Sequence, residues 1–159
     1  MTPFTLMVAC LIGIISGNEE SSCSRGWIDG NPYDLGCLLF DGSKVYTWNG
    51  AQEFCHTQEE SSLVEIFNRD QQDFLALTAY QLEGFTGQQR SWFIGATDVG
   101  TEGRWFWPTS LKVATFTAWY GSEPNSGITA NYAYMHYSYD FDWYDTTDTA
   151  SYYPVCQKI

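Results

Sequence analysis

The chain is 159 residues long, 44% hydrophobic and 18% aromatic, with a formal net charge of -12. That length holds one domain, and the apolar content is ample for a core. The acidic balance excludes partners bound by phosphate neutralisation, namely nucleic acids and anionic membranes, and no internal apolar run is long enough to insert in a bilayer.

Residues 1–17 read as a secretory signal peptide. Residues 6–15 are almost purely apolar but too short to span a bilayer, and the small Ser16 and Gly17 follow. Cleavage there removes Cys10 and leaves Cys23, Cys37, Cys55 and Cys156 in a mature domain of residues 18–159. An even number of cysteines in an oxidising compartment predicts two disulfides, with three connectivities open. Asp29-Gly30-Asn31-Pro32 is a strong turn signal between extended segments at residues 24–28 and 35–40, a hairpin whose open end a Cys23 to Cys37 bridge would clamp. Thr47 has the chemistry of an N-cap, and Trp48, Ala51 and Cys55 fall on one face of a helix over residues 48–57. A short strand is predicted at residues 62–66. A second helix over residues 68–82 carries Phe74, Leu77 and Tyr80 on its apolar stripe and ends at Gly84. Short aromatic-rich strands follow at residues 92–96, 104–107, 114–119, 132–137, 141–144 and 152–157, separated by Gly, Pro, Asp or Thr. The fold class is therefore α+β: two helices followed by a mostly antiparallel sheet.

Two short motifs carry the chemistry. Glu123-Pro124-Asn125 sits in a glycine-flanked loop, and Trp143-Tyr144-Asp145 follows it at some distance in the chain. Glu123, Asn125 and Asp145 are hard oxygen donors on loops, which suits Ca²⁺ and its roughly 6 to 8 oxygen ligands. Neither motif contains His or Cys, so the chemistry is not that of zinc. An X-Pro bond adopts cis at modest cost, and a cis Glu123-Pro124 bond turns both flanking side chains to one side.

From Cys23 to Cys156 the chain resembles the C-type lectin-like domain family. The resemblance rests on ordered landmarks: Gly26-Trp27, Cys37-Leu38-Leu39-Phe40, Trp48 with Ala51 and Phe54-Cys55, Leu63-Val64-Glu65-Ile66, Trp92-Phe93-Ile94-Gly95-Ala96, Glu102-Gly103-Arg104-Trp105, the two motifs above, and Tyr153-Pro154-Val155-Cys156. It implies the pairing Cys23–Cys37 and Cys55–Cys156. It also implies a secreted Ca²⁺-dependent carbohydrate-binding protein, used in recognition of foreign or self glycans, with Glu123, Asn125 and Asp145 as ligands of both ion and sugar. Glu-Pro-Asn implies a mannose-type preference, where galactose-type members carry Gln-Pro-Asp.

The chain departs from the family pattern in three places. Tyr144 stands where an asparagine ligand is usual and offers no amide oxygen. A further ligand position, usually Glu, aligns with Ala130, and a slip of one residue brings Asn131 into its place. The family's bridge beneath the long loop aligns with Tyr132 and Asp148, so packing of Trp119, Tyr134 and Trp143 is the expected substitute. Asp98 and Glu102 resemble two ligands of an accessory Ca²⁺ site. Asp140 and Asp142 offer compensating charge, against the plainer reading that they form a solvated acidic loop with Asp148. The departures motivate an alternative, a lectin-like domain that binds a protein or other surface without calcium or sugar. An enzyme is disfavoured: His56 and His136 are the only histidines, and neither lies in a local nucleophile motif.

Overall fold

The computed structural model describes residues 22–159, so the expected signal peptide at residues 1–17 lies outside the described residues. In chain order the elements are β1 (Ile28–Asp29), a 3₁₀ turn (Asn31–Tyr33), β2 (Cys37–Phe40), α1 (Trp48–Thr57), β3 (Ser62–Leu63), α2 (Arg69–Thr86), β4 (Trp92–Thr97), β5 (Phe106–Trp107) and β6 (Lys112–Val113). A second 3₁₀ turn (Gly127–Thr129), β7 (Tyr132–Met135), β8 (Trp143–Thr146) and β9 (Tyr153–Lys158) complete the chain. The class is α+β, as the sequence predicted. No helix among the described residues is long and apolar enough to cross a membrane.

The C-terminal strand organises the sheet. β9 runs antiparallel to β2, with Leu39 opposite Cys156, and parallel to β4, with Trp92 opposite Tyr153. β4 then pairs with β7, and β7 with β8, which sets Ala133 opposite Asp145. Both disulfides implied by the resemblance are formed, Cys23–Cys37 and Cys55–Cys156. The second ties α1 to β9 across 101 residues, a closure worth about 4 to 5 kcal/mol if unfolded-chain entropy dominates. Gly36 has no alternative where β2 meets β9: its φ is +62°, and a Cβ there would lie 2.2 Å from the Lys158 carbonyl oxygen.

Helix α1 begins and ends where the spacing predicts. The Thr47 hydroxyl accepts the Gly50 N–H at 3.3 Å, and Trp48, Ala51 and Cys55 are buried. Helix α2 runs further than expected, to Thr86. Gly84 costs only the modest helical penalty of a glycine, and the left-handed cap is supplied by Gly87, at φ +68°. Its inward face also differs. Gln71, Gln72, Leu75, Thr78 and Ala79 are buried, whereas Leu77 and Tyr80 are exposed. The polar pair can face inward because each amide is satisfied there: Gln71 Oε1 accepts the Phe67 N–H, while Gln72 donates to the Phe141 carbonyl and accepts from the Trp143 indole. Several strands are shorter than predicted. The segment at 114–119 forms no strand, but Trp119 bridges to Trp143 through the backbone.

The long loop is held as expected by Trp119 and Trp143, whose rings meet edge to face at 5.6 Å, with Trp105 on Trp119 at 4.7 Å. Tyr134 does not join them, because strand alternation turns it to the opposite face of the sheet, where it stacks on Tyr152 at 4.1 Å. Tyr132, at a position where the family places a bridging cysteine, stacks on Trp48 instead at 4.9 Å.

Candidate functional site

The loop after Trp119 is a tight turn, with the Glu123 N–H donating to the Tyr120 carbonyl at 2.9 Å. The Glu123–Pro124 peptide is cis. Asp145 lies on β8 two residues beyond Trp143, and the buried indole fixes that strand against α2. The register of β8 therefore delivers the Asp145 carboxyl to the loop, and the two motifs meet.

Their contacts run through four side chains, Glu123, Asn125, Ser126 and Asp145. Glu123 Oε1 accepts the Asn125 amide N–H at 2.9 Å. Asp145 accepts twice from Ser126, its backbone N–H at 2.9 Å and its hydroxyl at 2.9 Å. The Asp145 carboxyl lies beside Glu123 and disfavours its charged form. Burial first, and then the Asp145 carboxyl, push the Glu123 pKa up to about 7, against the opposing N–H donors of Asn125. Glu123 Oε2 is buried without a hydrogen-bond partner. Ser126 was not expected among the site residues. In sequence it stands beside Asn125 and at a place where the accessory calcium site usually has a ligand, but a serine in a loop carries no metal-site signature of its own.

The other candidates are placed as follows. Ala130 is buried, and Asn131 is half-buried with its amide N–H on the Ile128 carbonyl at 3.2 Å. Asp98 is buried inside its own turn. Its Oδ2 accepts the Gly103 N–H at 2.8 Å, while its Oδ1, like Glu123 Oε2, is buried without a partner. Glu102 is exposed. Asp140 is drawn away to α2, where the Tyr80 hydroxyl donates to it at 2.6 Å. Among the described residues no three His, Cys, Asp or Glu side chains converge as a metal cluster. The site assembles two carboxylates with amide and hydroxyl oxygens. Tyr144, next to Asp145, lies among aromatic rings. His56 is exposed at the end of α1, and His136 Nδ1 accepts the Ser138 N–H at 3.0 Å.

The family model described as the lectin C-type domain matches residues 44–158. The galactose-specific lectin nattectin of Thalassophryne nattereri is 28% identical over 80% of this chain and 76% of its own length. Asialoglycoprotein receptor 1 of Mus musculus is 28% identical over 89% of this chain, which spans 46% of that receptor. Among solved structures, the cow carbohydrate-recognition domain of CD23, crystallised in the presence of a GlcNAc2Man3 oligosaccharide, superposes with a TM-score of 0.71 at 25% identity. That superposition covers 87% of this chain and 97% of the CD23 chain.

Proposed function

The chain belongs to the C-type lectin domain family, and from that premise we propose that it is a secreted protein that binds mannose-type glycans through a Ca²⁺ held by Glu123, Asn125, Asn131 and Asp145. The observation that carries this reading is Glu123 Oε2, a buried carboxylate oxygen with no hydrogen-bond partner beside a second carboxyl. Such an oxygen costs the fold free energy until a proton or a cation meets it.

The donor set fits calcium: two carboxylates, amide oxygens, and neither nitrogen nor sulfur ligands. It is one oxygen poorer than the family pattern, because Tyr144 replaces an amide, and the expected affinity is correspondingly weak. When bound, the ion attracts vicinal sugar hydroxyls. The chain's own residues select among them, the Glu123 and Asp145 carboxylates accepting hydroxyl protons and the Asn125 amide N–H donating. The sequence Glu-Pro-Asn supports a mannose-type over a galactose-type preference, in contrast to what nattectin's name states of that protein. The test is retention on mannose and galactose matrices with Ca²⁺ and with EDTA. Chelator-reversible retention on mannose is expected, and retention indifferent to EDTA refutes it.

A second reading is favoured by one contact. Ser126 donates to both Asp145 oxygens, so Asp145 is satisfied by the loop without a cation, and a proton on Glu123 then takes the place of a metal. The domain then binds a protein or other surface without calcium or sugar. Calorimetry separates the two: no heat at millimolar Ca²⁺ leaves only this second reading.

A further inference from the structure

Beside the acidic pair the structure gathers a group of aromatic rings that pack on one another and yet stay open to solvent. Antiparallel pairing of β7 with β8 sets Tyr134 opposite Tyr144 on one face, with His136 two residues along. The Tyr120 N–H donates to the Trp143 carbonyl at 3.0 Å, which lays Tyr120 next to Tyr144, and Tyr139 comes over from the turn between the strands. Ring centroids are 4.3 Å apart for Tyr120 and Tyr139, 5.5 Å for Tyr120 and Tyr144, and 5.4 Å for Tyr139 and Tyr144. His136 lies 5.0 Å from both Tyr139 and Tyr144. The tryptophans on the other face of the sheet form true core, and Trp143 is fully buried. Tyr120 and Tyr139 by contrast remain 40% and 38% exposed, so this cluster presents ring surface to solvent.

We propose that Tyr120, Tyr139 and Tyr144 form a stacking subsite for the apolar face of a second sugar ring, linked to the one held at Glu123 and Asp145. This rests on the carbohydrate-binding reading of the acidic site. Three features select the ligand. The planes are close to parallel, 15° between Tyr120 and Tyr144 and 28° between Tyr139 and Tyr144. Rings this close and this nearly parallel lie face against face, so the platform offered to a ligand is the outer ring surface of Tyr120 and Tyr139, on which a flat C–H face can lie as a further layer; recognition of a compact cation needs several ring faces turned on one point. The platform is continuous with the acidic site, because Tyr144 immediately precedes Asp145 and feels the charge of Glu123. Each of the three rings carries a phenolic hydroxyl, which gives the platform polar groups suited to ring hydroxyls. With a net charge of -12, the protein repels acidic sugars, so the ligand is a neutral oligosaccharide.

The test is calorimetric titration of methyl mannoside and of a mannose disaccharide, in Ca²⁺, against the wild type, Tyr120→Ala, Tyr139→Ala and Tyr120→Phe. The wild type is expected to prefer the disaccharide by about two- to tenfold, the worth of a stacking contact. Each alanine variant loses that preference while keeping its monosaccharide affinity, and the phenylalanine variant retains most of it. A wild type with no disaccharide preference, or alanine variants that weaken both ligands equally, overturns the proposal. Failure of the wild type to bind the monosaccharide counts instead against the calcium-site reading. The platform is then tested by NMR, where Tyr120 and Tyr139 ring signals shift on adding mannotriose if the subsite exists, and unshifted signals overturn it.

Discussion

Gln72 is the residue whose loss should most directly unfasten the site from the fold. Its buried amide donates to the Phe141 carbonyl at 2.9 Å and accepts from the Trp143 indole at 2.8 Å, so a single helix side chain pins the turn before β8 and the start of β8 itself. Gln72→Leu conserves shape and opens no large cavity, but it leaves two buried polar groups with no partner. At about 1 to 3 kcal/mol for each unmet group, the expected loss is about 2 to 6 kcal/mol, a large part of the roughly 5 to 15 kcal/mol typical of a domain. Urea unfolding followed by tryptophan fluorescence measures it, with Gln88→Leu, an exposed glutamine outside the helix, as the control expected to stay within about 0.5 kcal/mol. The same variant should weaken Ca²⁺ binding, because Asp145 is placed by the strand that Gln72 anchors. A destabilisation of Gln72→Leu no greater than that of the control would refute the claim that this amide fastens β8 to the helix.

Two further outcomes concern the acidic pair. Glu123 is raised from 4.5 to about 7 in the folded protein, so without metal the native state binds this proton more tightly than the unfolded chain does. The resulting stability is complete below the unfolded value and is lost as pH rises through the folded one, with the loss reduced by solvent screening at this half-buried site. Thermal midpoints in EDTA should fall between about pH 4.5 and 7, Glu123→Gln should flatten that slope, and a flat wild-type profile would contradict it. Tyr144→Asn restores the amide oxygen the site lacks and should raise Ca²⁺ affinity by about tenfold in calorimetry; an unchanged affinity would mean that position 144 does not face the ion.

Much of the fold was legible because its signals are local. Thr47 followed by Trp48, Ala51 and Cys55 at helical spacing fixes α1, and the ordered landmarks carry the rest through resemblance. The end of α2 was not legible, because Gly84 and Gly87 are equivalent in sequence and only the chain's direction afterwards decides which adopts positive φ. Its buried stripe was misread for a related reason. Polarity predicts exposure for a lone glutamine, whereas Gln71 and Gln72 are buried by partners distant in sequence, such as Trp143. At the site, the meeting of Glu123 with Asp145 follows from the motifs. The double donation from Ser126 does not, since it depends on the height at which the loop crosses β8.

Position 144 is where the departures from the family pattern come together. An asparagine there would serve the ion and offer no stacking surface; the tyrosine gives up an oxygen and adds a third ring against which Tyr120 and Tyr139 both stack. The two effects oppose each other in a glycan's affinity, one weakening the grip on hydroxyls and the other extending contact along the chain of sugars. Tyr144→Asn therefore separates them in one protein. If the platform contributes, the variant gains monosaccharide affinity while its preference for the disaccharide collapses. If the tyrosine is only a lost ligand, both sugars bind more tightly by the same factor.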